Sequence, residues 1–207
     1  MYLPPQFKSE DRSHALALMR ASPLASLIST DEHGWPYVTH LPLHVEEQGS
    51  ELILLGHVAK PNPHWRYLQA RPQALVTFLG PHGYMSPSVY PDLQRVPTWN
   101  YVAVHCKVSA TLVETEDAKD TLLKKLIGDH EPAYAAQWRR LGEDYAHKML
   151  AGIVAFELRM TEWQCKLKLN QHRPESHAAM RAHYTAGNAD AQALVAWMDR
   201  LGLGPHE

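Results

Sequence analysis

The chain has 207 residues, 45 % of them hydrophobic, and a formal net charge of −2. That length suits one compact domain whose core is large enough to fold without disulfides. No block of basic residues is present to neutralise phosphates along a nucleic acid, no apolar run approaches a membrane span, and no signal-peptide pattern opens the chain. The two cysteines, Cys106 and Cys165, fit neither a zinc pair nor a redox CxxC, and read as reduced, buried thiols of a cytoplasmic protein.

Asp11 is placed to cap a short helix ending near Arg20. Residues 23–30 read as a strand, and Asp31 to Gly34 as a turn in which Gly34 takes positive φ. A second strand is expected over Trp35 to Val45, with Tyr37, Thr39, Leu41 and Leu43 on one face. A polar turn around Gly49 leads to a third strand, Glu51 to Gly56. Asn62-Pro63 opens a helix running to about Ala70, since Asn caps well and proline suits the first helical turn.

Gln73 to Leu79 is the fourth strand, and Gly80 to Pro97 reads as a long loop with four prolines. Thr98 to Glu114 is a long strand. Helices follow at Asp117 to Asp129 and Tyr134 to Leu150, then strand character from Ala151 to Lys168. Two further helices, Pro174 to Tyr184 and Asn188 to Leu201, end the pattern. The expected architecture is a single α+β domain over 1–207, mainly an antiparallel barrel, with inserted helices and a helical extension from about residue 174.

Three constellations carry chemistry. In Gly56-His57-Val58-Ala59-Lys60-Pro61-Asn62-Pro63 a strand runs into a helix start, where unpaired N–H groups, His57, Lys60 and Asn62 suit a phosphate. An ordinary capped turn explains the same residues. Between Gly80 and Tyr101, Tyr84, Tyr90, Trp99 and Tyr101 suit the wall of a flat aromatic ligand, and Ser86, Ser88, Thr98 and Asn100 its polar edge. A rigid loop over a barrel end is the bland alternative. In the run Lys166-Leu-Lys-Leu-Asn170 the polar residues share one strand face, a pattern also common on a solvated edge strand.

The 14 histidines include no HExxH pair. His40 and His44 are four residues apart on one expected strand, roughly 13 Å, too far to share an ion. No metal site is expected. Nucleophilic catalysis has no support either, because no GxSxG elbow, Walker loop or dinucleotide GxGxxG occurs.

The motifs HLPL, GHVAKPNPHW, FLGPHGYMSPSVY, VPTWNY and KLKLNQHR, in that order, resemble the PaiB family of FMN-binding split-barrel proteins. The resemblance spans Tyr2 to Arg173. It implies an FMN-binding split β-barrel of the pyridoxamine-phosphate-oxidase type, and a homodimer with FMN at the subunit interface. His40 and Leu41 would lie beside the flavin, and His57, Lys60 and Asn62 at the ribityl phosphate. Ser86, Thr98, Trp99 and Asn100 would lie near the ring or ribityl chain, and Lys168 and Gln171 would approach late in the fold. The chain departs from the family pattern at Pro61, Val89, Asn170 and His172.

The family description implies a negative transcriptional regulator. A flavin-dependent oxidoreductase and a haem-binding split barrel are the alternatives. Direct DNA binding lacks support in the charge pattern, since Arg181 and Arg200 in the last helices are accompanied by Glu175, Asp190 and Asp199.

Overall fold

The computed structural model describes residues 1–92, 94–138 and 140–204. Among these, eight strands form one sheet. They are β1 (Lys8–Ser9), β2 (Leu24–Thr30), β3 (Pro36–Pro42), β4 (His44–Gln48), β5 (Glu51–Ala59), β6 (Gln73–Met85), β7 (Thr98–Val113) and β8 (Ile153–Lys168). The helices are α1 (Arg12–Ala21), α2 (His64–Ala70), α3 (Glu116–His130), α4 (Tyr134–Trp138), α5 (Glu143–Ala151), α6 (His177–Thr185) and α7 (Ala189–Arg200). The strand order is β3-β2-β6-β7-β8-β5-β4, with β1 beside β8. No helix among the described residues is long and apolar enough to cross a membrane.

The chain divides into two compact units. Unit 2 comprises Met19–Phe78 and His105–Trp163. Its β2 and β3 pair antiparallel from Leu24↔Pro42 to Thr30↔Pro36, closed by a turn in which Gly34 has φ +87°. In β2 the alternation puts Ala25, Leu27 and Ser29 inward. The single strand expected from Trp35 to Val45 is instead two, β3 and β4, separated at Leu43. Pro42 has no N–H to continue the ladder, and the Leu43 N–H donates to Pro23 O at 3.0 Å. Leu43 then sits in the core opposite Gly56, where an added Cβ would lie 2.5 Å from Leu43 Cδ2 and 3.3 Å from Phe156 Cε2. The glycine leaves room there for the Leu43 and Phe156 side chains.

β5 runs on to Ala59, past the expected end at Gly56, and is buried on both faces. Its outer residues Ile53 and Leu55 pack under Leu122 and Leu126 of α3. α3 is capped by Thr115, whose hydroxyl accepts from the Ala118 N–H at 3.3 Å. The helix expected over Tyr134 to Leu150 is split into α4 and α5, the second starting after Gly142.

Unit 1 comprises Met1–Leu18, Leu79–Val104 and the residues from Gln164 onward. Here β6 continues through Gly80, Pro81 and Gly83 to Met85, where a loop was expected. The glycines are space-fillers in reverse: a Cβ at Gly83 would lie 3.1 Å from both Leu194 Cδ1 and Tyr184 Cε1. The inner face of these strands is thus closed by α6 and α7. Asn188 caps α7, accepting from the Ala191 N–H at 3.0 Å. Asn170, with φ +62°, turns the chain out of β8 toward these helices.

Candidate functional site

In unit 2 the stretch from Gly56 to Asn62 builds an interlocked turn. The Lys60 N–H donates to Gly152 O at 2.8 Å, and Lys60 O accepts from Trp65 Nε1 at 3.1 Å. The Asn62 carboxamide is occupied on both sides. Its Nδ2 donates to Thr39 Oγ1 at 3.2 Å, and its Oδ1 accepts from the His64 N–H at 3.0 Å. Thr39 Oγ1 also meets His64 Nδ1 at 2.8 Å. Asn62 therefore caps α2 and ties it to β3. Of the N–H groups expected here for a phosphate, that of His64 is taken by Asn62.

His64 is fully buried, with the Tyr37 ring edge-on at 5.1 Å. Burial pushes its pKa down to about 4. Its Nε2 is buried without a partner. Lys60 is exposed, and its ammonium has no protein partner among the described residues. His40, on the exposed face of β3, meets Ser26 Oγ at 3.0 Å, whereas Leu41 belongs to the core. His57 points elsewhere. It continues the outer row of Ile53 and Leu55, and lines a pocket with Leu126 and Ile127 of α3. None of the groups that Asn62 binds lines that pocket.

In unit 1 a second set of expected residues shares one sheet face. Trp99 and Tyr101 alternate on β7, and His82 and Tyr84 on β6. Trp99 is 53 % exposed, with His82 at 5.6 Å and Tyr84 at 6.3 Å between ring centroids, both edge-on. Beside them, on β8, stand Lys166 and Lys168. Lys166 Nζ lies 5.1 Å from the Tyr101 ring and 5.8 Å from the Tyr2 ring, and donates to Tyr2 O at 3.2 Å. Lys168 Nζ donates to Thr98 Oγ1 at 2.5 Å and lies 6.0 Å from the Tyr101 ring. Burial, then the neighbouring Lys166 charge, lowers the Lys168 pKa.

Lys166 is only 7 % exposed. The solvated edge strand entertained for this run is therefore not what forms. Neither ammonium has a carboxylate partner among the described residues. Burying a charge is unfavourable unless it is compensated, and here Tyr2 O, Thr98 Oγ1 and the Tyr101 ring face the two ammonium groups. Sequence reasoning did not single out Lys166 as a site residue. Its alternation with Lys168 along one strand face was the available signal.

The remaining expected residues are placed differently. Asn100 is on the inner face of β7, 1 % exposed, donating to Tyr184 OH at 2.8 Å and contacting the Met85 and Met180 sulfurs at 3.2 Å. Ser86 opens the short 3-10 turn Pro87–Val89, accepting from the Ser88 N–H at 3.2 Å. The Gln171 amide folds back on its own chain, accepting from the Leu169 N–H at 3.0 Å and donating to Leu167 O. Among the described residues no group of three or more His, Cys, Asp or Glu is placed to hold a metal ion.

Residues 1–162 match the family described as "Putative FMN-binding domain". The chain is 33 % identical over 178 residues to "Protease synthase and sporulation protein PAI 2" of Bacillus subtilis, covering 85 % of this chain and 84 % of that one. It is 29 % identical over 148 residues to the uncharacterized Saccharomyces cerevisiae protein YKL070W, covering 61 % of this chain and 86 % of that one. Among solved structures, the flavocytochrome Anf3 from Azotobacter vinelandii superposes with a TM-score of 0.61 at 20 % identity, covering 79 % of this chain and 70 % of that one. The FAD and haem binding protein from Mycobacterium smegmatis gives 0.60 at 22 % identity, covering 78 % and 73 %. These structures share the split-barrel fold. By the family match and the similarity to PAI 2, the chain belongs to the PaiB family of FMN-binding proteins.

Proposed function

We propose that the unit 1 face carrying Lys166, Lys168, Trp99 and Tyr101 holds the FMN of this flavoprotein, in a homodimer. The observation that carries this reading is the pair of ammonium groups without carboxylates beside exposed aromatic rings. FMN presents a phosphate dianion and a flat, largely apolar ring. The first matches Lys166 and Lys168, which no carboxylate neutralises among the described residues, the second the Trp99 and Tyr84 surfaces. Thr98 orients the Lys168 ammonium. Lys60 in unit 2, exposed and with no side-chain partner among the described residues, is the rival phosphate ligand.

When bound, FMN supplies hydride and electron transfer, while the protein places it and tunes its surroundings. The exposed Tyr2, Tyr84 and Trp99 support a second copy of the chain as the cover for this face, because large rings in one patch favour association. The family description favours a negative regulatory role, which bound FMN would serve. Direct contact with DNA is not favoured, since Arg181 of α6 is paired with Asp199 of α7 at 2.5 Å.

The test is a flavin titration read by fluorescence, run with FMN and with riboflavin. Lys168→Ala should weaken FMN binding by about one to two decades, for a charge-assisted contact of roughly 1.5–3 kcal/mol, and leave riboflavin nearly unchanged. If Lys60→Ala has that effect and Lys168→Ala does not, the phosphate lies at the turn before α2. A Soret band in place of flavin absorbance would replace FMN by haem. A single chain by light scattering in the FMN-bound state would remove the dimer.

A further inference from the structure

The outer face of β5 presents Ile53, Leu55 and His57 in turn. The first two are sealed by α3. At His57 the seal gives way to a shallow pocket of about 310 Å³, widely open to solvent. Leu123, Leu126 and Ile127 form its apolar wall, and His130, Glu131 and Tyr134 complete its lining. We propose that this pocket binds a small neutral aromatic molecule carrying an N–H or O–H donor, with His57 as its hydrogen-bonding anchor.

Four observations carry the proposal. The position of His57 continues a row of aliphatic residues, yet holds an imidazole whose Nδ1 is buried with no partner. Nδ1 is shut off from solvent, so the ring nitrogen open to a ligand is Nε2, which is not buried and has no hydrogen-bond partner among the described residues. Size fits as well. A volume of about 310 Å³ leaves room for a fused bicyclic ring to lie against the apolar wall.

Charge selects against anions. Among the described residues no lysine or arginine lines the pocket, Glu131 does, and the C-terminal end of α3 brings the negative end of its dipole there. That combination disfavours a phosphate and favours a donor group. The pocket is therefore distinct in chemistry from the lysine-rich face proposed for FMN, and does not depend on that assignment. Finally, burial holds His57 neutral near pH 7. A neutral imidazole offers one donor and one acceptor without a charge to neutralise.

The experiment uses full-length protein loaded with FMN. Indole, phenol and naphthalene-1-sulfonate are offered at millimolar concentration and detected by saturation-transfer NMR. Indole is expected to bind, phenol more weakly, and the sulfonate not at all. His57→Leu should lower indole affinity by about tenfold or more, with FMN affinity unchanged. Ile127→Trp, which fills the pocket from α3, should abolish indole binding and keeps the test alive if His57→Leu fails to fold. The proposal is overturned if neither indole nor phenol receives saturation. It is also overturned if indole binding survives both substitutions, or if the sulfonate binds better than indole. Loss of FMN affinity in His57→Leu, in a protein that still melts cooperatively, would return His57 to the flavin site and equally overturn it.

Discussion

Lys168 donates to Thr98 Oγ1 across the β8–β7 boundary of unit 1, and that bond holds its ammonium close to a second ammonium, Lys166. Burial and the like charge lower the Lys168 pKa, and a phosphate oxygen at the same place would oppose both effects. Binding of FMN should therefore be accompanied by proton uptake at alkaline pH, and its affinity should fall as pH rises through the lowered lysine pKa. Riboflavin should show neither effect. Calorimetry in buffers of different ionisation enthalpy measures the uptake. Equal pH profiles for the two flavins would remove Lys168 from the phosphate.

His64 gives the fold an acid-sensitive point. Its pKa is 6.5 in an open chain and about 4 when buried against Thr39 and Tyr37. The unfolded chain thus binds a proton between these values that the folded chain does not. Stability is complete above about pH 6.5 and declines as pH falls toward 4, by an upper bound of about 3 kcal/mol. The lowered pKa of His57 acts in the same direction. Urea unfolding at pH 7 and pH 4.5 should show this loss. His64→Gln, although less stable at pH 7, should show a smaller dependence on pH.

Asn100 lies in one of the motifs expected to touch flavin, yet its carboxamide is committed to Tyr184 and two methionine sulfurs. Asn100→Ala should lower stability by about 1–3 kcal/mol, since it leaves the Tyr184 hydroxyl buried and unpaired. FMN affinity of the folded fraction should change less than it does in Lys168→Ala. Thermal melts paired with flavin titrations separate the two effects.

At Gly56 a Cβ would meet Leu43 Cδ2 at 2.5 Å. Gly56→Ala should destabilise by about 1–3 kcal/mol through overpacking. A compensating Leu43→Ala in the same chain should recover part of that loss, and a double-mutant cycle by chemical denaturation reads the coupling.

Much of the fold was legible in local chemistry. Asp11 accepts from the Ser13 N–H at 2.8 Å ahead of α1, Gly34 turns the first hairpin, and Asn188 caps α7, each as its residue type suggests. The misreadings came where tertiary packing overrides punctuation. Gly80, Pro81 and Gly83 look like a loop, but they remain in β6 because Leu18, Tyr184 and Leu194 occupy the space beside the two glycines. The break at Leu43 lies inside a run that reads uniformly as strand.

For the site, residue types were visible and their orientation was not. Asn62 and Asn100 are both amides suited to a ligand, and only the packed structure reveals that each is engaged by the protein. Lys166 looked like a solvated lysine because nothing in its neighbourhood of sequence foretells Tyr2 and Tyr101 beside it. His57 alternates correctly with Ile53 and Leu55, but the helix that covers this row arrives from some sixty residues later.

The alternation along β7 constrains how this segment can change. Trp99 and Tyr101 look outward to the aromatic and lysine face, while Asn100 and Val102 look inward to the helices. Adding or deleting one residue within this stretch would exchange the two rows, pushing an indole into a space shaped for an amide and exposing the amide to solvent. Two unrelated duties, one toward a ligand and one toward the core, are thereby tied to a single chain length. Relatives that preserve both should vary freely in the segment before Thr98 and hardly at all in residue number between Thr98 and Val102.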